Sequence, residues 1–142
     1  METTNTSPIT VKTTINAPVS EVWSKWNNPE DIMQWCFASD TWHAPKAENN
    51  LQVGGKFTTT MAAKDGSFSF DFGGTYDQVV DNQLISYTME DGRNVKIEFT
   101  SEGDKTIVSE TFDPENQNSA EMQRDGWQAI LDNFKKHVEE TN

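Results

Sequence analysis

The stretch KFTTTMAAKDGSFSFDFGGTYDQVVDNQLISYTMEDGRNVKIEFTSEGDKTIVSETFDP, residues 56–114, decides the fold. Within it the inward-type residues recur at every second position: Phe57, Thr59 and Met61; Phe68, Phe70 and Phe72; Ile85, Tyr87 and Met89. Val95, Ile97 and Phe99 continue the pattern, and Val108, Glu110 and Phe112 close it. A period of two belongs to strands with one buried face, and Ser69 and Asp71 point the other way. Asp65-Gly66, Asp81-Asn82, Asp91-Gly92 and Glu102-Gly103-Asp104 punctuate the runs as turns. Strands joined by turns this short pair antiparallel with their neighbours. Gly73-Gly74 in mid-run predicts a bulge or a sharp bend, and Asp113-Pro114 ends the series.

Upstream, residues 9–16 alternate as a half-buried strand with Ile9, Val11, Thr13 and Ile15 on one face. Ala17-Pro18 breaks it, with Pro18 placed in the first turn of a helix. That helix carries Val19, Val22, Trp23 and Trp26 at helical spacing and stops at Asn27-Asn28-Pro29. A second short helix starts at Pro29, with Ile32, Met33, Trp35 and Phe37 in or just after it. The change to period two is expected from residue 41 onward.

Downstream, a helix is predicted over residues 119–140, with Ser119 as N-cap and Met122 at N3, so that no full capping box forms. Met122, Trp127, Ile130, Leu131, Phe134 and Val138 make its apolar stripe. Glu121 and Asp125 near its start and Lys135, Lys136 and His137 near its end suit the helix dipole. The order is therefore strand, two helices, about six antiparallel strands, long helix: an α+β architecture. A helix of about 22 residues spans roughly 33 Å. A twisted sheet of this size must curl around it, and a curled sheet of Phe and Tyr tends to leave space beneath.

The chain of 142 residues has 34% apolar side chains, yet it includes five Trp and eight Phe. Few but bulky apolar residues suit an interior lined by rings. The length predicts one domain over 1–142, with an ordered core of about residues 8–140. Eleven basic against 23 acidic residues give a formal charge of −12. Such a surface repels phosphate backbones and anionic lipid, so neither nucleic acid nor membrane is an expected partner. The single Cys36 forms no intrachain disulfide. No secretory leader or long apolar run is read, METTNTSPIT being a polar lead into the first strand; a cytoplasmic location is expected.

Five collinear segments carry a family resemblance: Ala17-Pro18 with Glu21-Val22-Trp23; Asn28-Pro29-Glu30 with Gln34-Trp35; Val53-Gly54-Gly55-Lys56-Phe57; Gly74-Thr75-Tyr76 with Leu84-Ile85; and Gly126-Trp127 with Leu131. They resemble the START-like (SRPBCC) superfamily, and within it the family named for the activator of the heat-shock-protein-90 ATPase. Gln52 stands where that family usually has Arg. The resemblance implies a helix-grip (START/Bet v 1-like) fold: a curved antiparallel sheet of six to seven strands around a long C-terminal helix, with two short helices after the first strand. It also implies an internal pocket whose mouth is rimmed by the segment carrying Trp35, Cys36, Phe37 and Trp42. The superfamily hosts carriers, cyclases, hydrolases and co-chaperones, so the fold alone does not name the chemistry.

Phe57, Met61, Phe68, Phe70, Tyr87, Met89, Val95, Ile97 and Phe99 face inward by alternation, as packed core or as cavity wall. On the last helix Met122, Gly126, Ile130 and Phe134 are placed nearest the cavity. Gly126 reflects either close helix–sheet packing or room for a ligand. Trp35, Phe37 and Trp42 are candidates for ligand contact at the rim, and Trp23 and Trp26 for packing. Glu110 shares the inward face with Val108 and Phe112. It is either a buried carboxyl group able to act as acid, base or ligand anchor, or a residue paired with Arg124 or a lysine, or one displaced by a register slip. Cys36 and His43 lack a third orienting group for nucleophilic catalysis. His43 and His137 do not form a paired zinc motif, and no phosphate-cradling loop occurs, so neither metal nor cofactor is expected.

The first reading is a non-catalytic protein that encloses a small apolar or aromatic molecule, in stress response or detoxification, as a monomer or weak homodimer. The alternatives are a cyclase- or hydrolase-type pocket enzyme using Glu110 or Tyr87 as acid or base, and a chaperone-associated protein with a protein partner.

Overall fold

The computed structural model describes residues 7–141; residues 1–6 of the polar lead, and Asn142, lie outside the described residues. Strand β1 (Ile9–Ile15) leads into helices α1 (Val19–Asn27) and α2 (Pro29–Trp35). Strands β2 (Trp42–Asn49), β3 (Lys56–Ala63), β4 (Ser69–Val80), β5 (Leu84–Met89), β6 (Asn94–Glu102) and β7 (Lys105–Phe112) follow, and helix α3 (Ala120–Thr141) closes the chain. The strands form one antiparallel sheet in the order β1-β7-β6-β5-β4-β3-β2. Consecutive strands pair through the short turns, and β1 returns to the edge beside β7. This is the helix-grip architecture, with seven strands.

The turn chemistry follows the residues. Gly66, Gly92 and Gly103 take positive φ, and Asn82 does so at 64°, as a short polar side chain tolerates. Pro18 is not in the first turn of α1 as expected; it is the extended N-cap residue, and the helix begins at Val19. Asn28 ends α1 and caps α2, its side chain accepting from the Glu30 amide at 3.2 Å. The expected bulge at Gly73-Gly74 is displaced. The β3–β4 register runs regularly through both glycines, and the irregularity falls in the β4–β5 ladder between Tyr76 and Gln78. The glycines answer to a close approach instead. A Cβ at Gly73 would lie 2.2 Å from the Phe57 carbonyl oxygen, and one at Gly74 would lie 2.6 Å from that of Thr88.

The concave face can be followed across the ladders. Val11 lies opposite Glu110, Glu110 opposite Ile97, and Ile97 opposite Ile85. Ile9 meets Phe112, Phe112 meets Val95, Val95 meets Tyr87, and Tyr87 meets Tyr76. Helix α3 lies in this curl. Trp127 stacks flat on Phe112, with centroids 3.9 Å apart and planes 8° apart. Further along, Phe134 is met edge-on by Trp26 at 4.9 Å and Trp35 at 4.7 Å. Leu131, Phe134 and Val138 are fully buried.

Ser119 caps α3, its hydroxyl accepting from the Met122 amide at 3.1 Å. Met122 itself turns outward, 61% exposed, contrary to its place in the expected stripe. At 3.6 residues per turn it sits about 140° around the helix from Trp127. Gln123, four residues before Trp127, takes the inward position. It is buried because its amide is fully used: Nε2 donates to the carbonyls of Glu115 and Asn118, and Oε1 accepts from the Glu115 amide. Helix α3 reaches Thr141, so Lys135, Lys136 and His137 lie ahead of its last turn. His137 is not at a free end: its ring nitrogen sits 2.9 Å from the Asp31 carboxylate, tying α3 to α2. Among the described residues, no helix is long and apolar enough to cross a membrane.

Candidate functional site

Between the concave face, the two short helices and the first half of α3 lies a cavity of about 350 Å³. Such a space is at the small end of the ~300–1,000 Å³ typical of ligand pockets. The sheet supplies Phe57, Thr59 and Met61 from β3, Phe70, Phe72 and Tyr76 from β4, and Ile85, Tyr87 and Met89 from β5. The short helices close one end with Trp26, Asn27, Ile32, Trp35 and Cys36, joined by Asn49 of β2. Trp127, Ile130 and Gln123 of α3, with Glu115 and Arg93 from the adjoining loops, close the other sides. The rings brace one another: Phe57 meets Tyr87 edge-on at 4.6 Å, and Phe72 meets Trp127 at 6.0 Å.

Most polar groups on the wall are committed to protein partners. The Tyr76 hydroxyl donates to Asn49 Oδ1 at 2.5 Å, and Asn49 Nδ2 donates to the Asn27 carbonyl at 2.7 Å. Trp35 Nε1 donates to the Lys25 carbonyl at 3.1 Å. Arg93 Nε donates to Asp91 at 2.8 Å.

Glu110 is an exception. It is 7% exposed, lies on the cavity wall, and has no hydrogen bond or ion pair among the described residues. The expected alternatives fail: no pair forms with Arg124 or a lysine, and the register through Val11 and Ile97 is regular. Burial pushes its carboxyl group up to about 8, because desolvation penalises the charged form. The Cys36 thiol, buried beside the same wall, is pushed up to about 12 by burial and then by Glu110. The Tyr87 hydroxyl is raised well above its ordinary value, by burial first and Glu110 second. Asn27 adds a buried side-chain oxygen with no hydrogen-bond partner.

The candidates read from sequence divide by how far the inward face is covered. Trp35, Phe57, Met61, Phe70, Tyr87, Met89, Glu110 and Ile130 line the cavity. Ile97, Phe99 and Phe134 face inward but are closed into the packed core, Phe99 under the edges of Trp23 and Trp26. Phe37 packs against that core, half buried, away from the cavity wall. Trp42 and Phe68 form an aromatic cluster with Phe70 outside the cavity, Phe68 being 58% exposed. Trp42 is partly buried against the core, whereas Phe68 is left largely exposed. Met122 points away. Gly126 is not on the wall, and a Cβ there would meet nothing within 4 Å, so close helix–sheet packing does not explain it.

The wall also holds residues outside the expected set. Thr59, Phe72 and Tyr76 share the face of Met61 and Phe70, a signal already present in the alternation. Trp26, read as packing, reaches the cavity while also bracing Phe134. Arg93, Asn27 and Gln123 carry no local signal, because their positions depend on long-range closure. His43 is exposed on β2 and is not a cavity residue, so it forms no pair with the buried Cys36. Among the described residues, no group of three or more His, Cys, Asp or Glu could hold a metal ion.

The family model described as Activator of Hsp90 ATPase homolog 1-like protein matches residues 16–139. The solution structure of an AHSA1-like protein from Aeromonas hydrophila is 44% identical, covers 95% of this chain and 94% of its own, and superposes with a TM-score of 0.90. The solution structure of a protein from Cytophaga hutchinsonii is 57% identical, with coverages of 96% and 94% and a TM-score of 0.81. A crystal structure of a protein from Nitrosomonas europaea, 17% identical over 94% and 95% of the two chains with a TM-score of 0.80, shares the fold. Among curated proteins, none matches the chain.

Proposed function

The chain belongs to the family of Activator of Hsp90 ATPase homolog 1-like proteins, and from that premise we propose that it is a non-catalytic binding protein enclosing a small apolar or aromatic molecule. The observation that carries this reading is the cavity of about 350 Å³ walled by Phe, Tyr, Trp and Met side chains. Protein interiors are ordinarily close-packed, and a void forfeits the dispersion contacts of its lining. A ligand restores them. Burying roughly 200 Å² of apolar surface contributes about 5 kcal/mol at ~25 cal/mol per Å². Ring and thioether walls also adapt to irregular apolar shapes.

One observation favours a second reading, a pocket enzyme of cyclase or hydrolase type: Glu110, raised to about 8, lies in the range useful to a general acid or base. The binding reading is preferred because no nucleophile accompanies it. A thiol pushed up to about 12 stays protonated at neutral pH, and His43 is remote from it.

The test is a thermal-shift screen against apolar and aromatic metabolites, followed by mass spectrometry of each hit after incubation. A ligand at 100 times its Kd adds about 2.7 kcal/mol of stability. Recovery of hits unchanged supports the binding reading, whereas conversion that is lost in Glu110→Gln supports the enzyme. A chaperone-associated role, which the family's description invites, is read by adding the protein to an Hsp90 ATPase assay; an increased rate would move the assignment there.

A further inference from the structure

A molecule that is apolar throughout would leave this cavity with an unanswered carboxyl group. Glu110 is buried between Val11 and Ile97 without a protein partner. The other chargeable groups on the wall do not answer it. Arg93 is held by Asp91. Glu115 accepts from the amides of Gln117 and Asn118. Cys36 and Tyr87, whose own ionisation Glu110 opposes, carry no positive charge to pair with it.

Trp35, Asn27, Asn49, Gln123 and the Nε of Arg93 direct side-chain N–H groups at this wall to protein acceptors, while the indole N–H groups of Trp26 and Trp127 meet none among the described residues. What is left over includes acceptors, the Glu110 carboxyl group and the buried Asn27 oxygen, together with the hydroxyls of Tyr87 and Thr59, which also accept. A neutral ligand would be served as well by glutamine, without the cost of burying an ionisable group. What glutamate adds is a negative charge.

We propose that the ligand of this cavity is an apolar amine, its ammonium group held by the Glu110 carboxylate and its hydrocarbon body by the aromatic wall. The inference rests on the binding reading above and narrows its ligand class. The faces of Trp26, Trp35, Phe57 and Tyr87 suit a cation as well as a ring. The formal charge of −12 raises the local concentration of cations and lowers that of anions. An ammonium ion also supplies the countercharge that the buried carboxylate lacks, converting an uncompensated charge into a charge-assisted hydrogen bond.

The experiment measures the affinities of naphthylmethylamine, naphthylmethanol and naphthoate, which share one ring system, by calorimetry at neutral pH. The amine is expected to bind roughly tenfold or more tightly than the alcohol, the scale of one hydrogen bond to a charged group, and naphthoate more weakly than either. In Glu110→Gln the amine-to-alcohol ratio falls toward one. If that variant fails to fold, the wild-type protein still decides: repeating the titration in buffers of different ionisation heat should reveal close to one proton released per amine bound, as the Glu110 carboxyl group ionises against the ammonium. Equal affinities, a preference that survives Glu110→Gln, or no proton release overturns the amine inference and leaves the binding reading standing. Silence from all three probes with library hits that lack an amine also overturns it. Silence from the probes and the whole apolar library overturns both.

Discussion

Glu110 of β7 and Ile97 of β6 are cross-strand partners on the concave face, so a carboxyl group shares its row with a side chain that has no exposed surface. Val11 of β1 flanks it on the other side. Nothing on either neighbour can hydrogen-bond it. The carboxyl group is thus protonated or answered from the cavity.

This placement predicts an unusual pH dependence. The Glu110 carboxyl group is raised from 4.5 to about 8 in the folded protein. Below the unfolded value it is protonated in both states; above that value the unfolded chain ionises first, so stability declines as pH rises and the loss is complete once pH passes the folded value. The exposed carboxylates Asp65, Asp91, Glu115 and Glu139 are lowered by their hydrogen bonds and titrate below this range. Melting temperature should therefore fall between about pH 5 and about pH 8, and Glu110→Gln should flatten that slope. Parallel slopes for the two proteins would refute the assignment.

The sequence pattern turns both Phe134 and Phe70 inward, and mutation should separate them. Phe134 is fully buried against Trp26 and Trp35, so Phe134→Ala should cost about 3–5 kcal/mol in denaturant unfolding. Phe70 is 43% exposed at the cavity wall. Phe70→Ala should cost less than about 1.5 kcal/mol while weakening ligand affinity.

Gly126 has an unusual amount of room for a mid-helix glycine. With no atom within 4 Å of an added Cβ, Gly126→Ala should stabilise the protein by up to about 1 kcal/mol. A loss of stability in equilibrium unfolding would mean that the glycine serves a conformation other than the helix described.

Gly73 is the opposite case. Its added Cβ would sit 2.2 Å from the Phe57 carbonyl oxygen, against backbone that has no flexible end to yield. Gly73→Ala should cost about 1–3 kcal/mol, read as a lower denaturant midpoint, and wild-type stability in that variant would show that the two strands can separate there at little cost.

Much of this was legible because strand and helix periods are local. The alternation of Tyr87, Ile97 and Glu110 assigned each to the concave face, and the ladders place them there. Ser119 read as an N-cap because its chemistry acts within one turn, and its hydroxyl does meet the Met122 amide. Met122 departs from the expected stripe for a reason also local: the inward line runs back from Trp127 to the polar Gln123 and not to its apolar neighbour. Gln123 is buried only because Glu115 and Asn118 supply its partners from the preceding loop.

The residues by themselves determined which side of the sheet each side chain occupies, since a period of two leaves only two choices. They also determined the order of elements, since turns of a few residues allow only antiparallel neighbours. Whether an inward residue is packed, cavity-lining or bare was decided by tertiary structure. Alternation within their own runs places Phe99, Phe57 and Phe68 all inward. Phe99 is closed in by Trp23 and Trp26, Phe57 borders the cavity, and Phe68 is left largely exposed beside Trp42 and Phe70. The difference lies in what covers each ring. That cover comes from helices distant in sequence, whose position depends on the curl of the whole sheet.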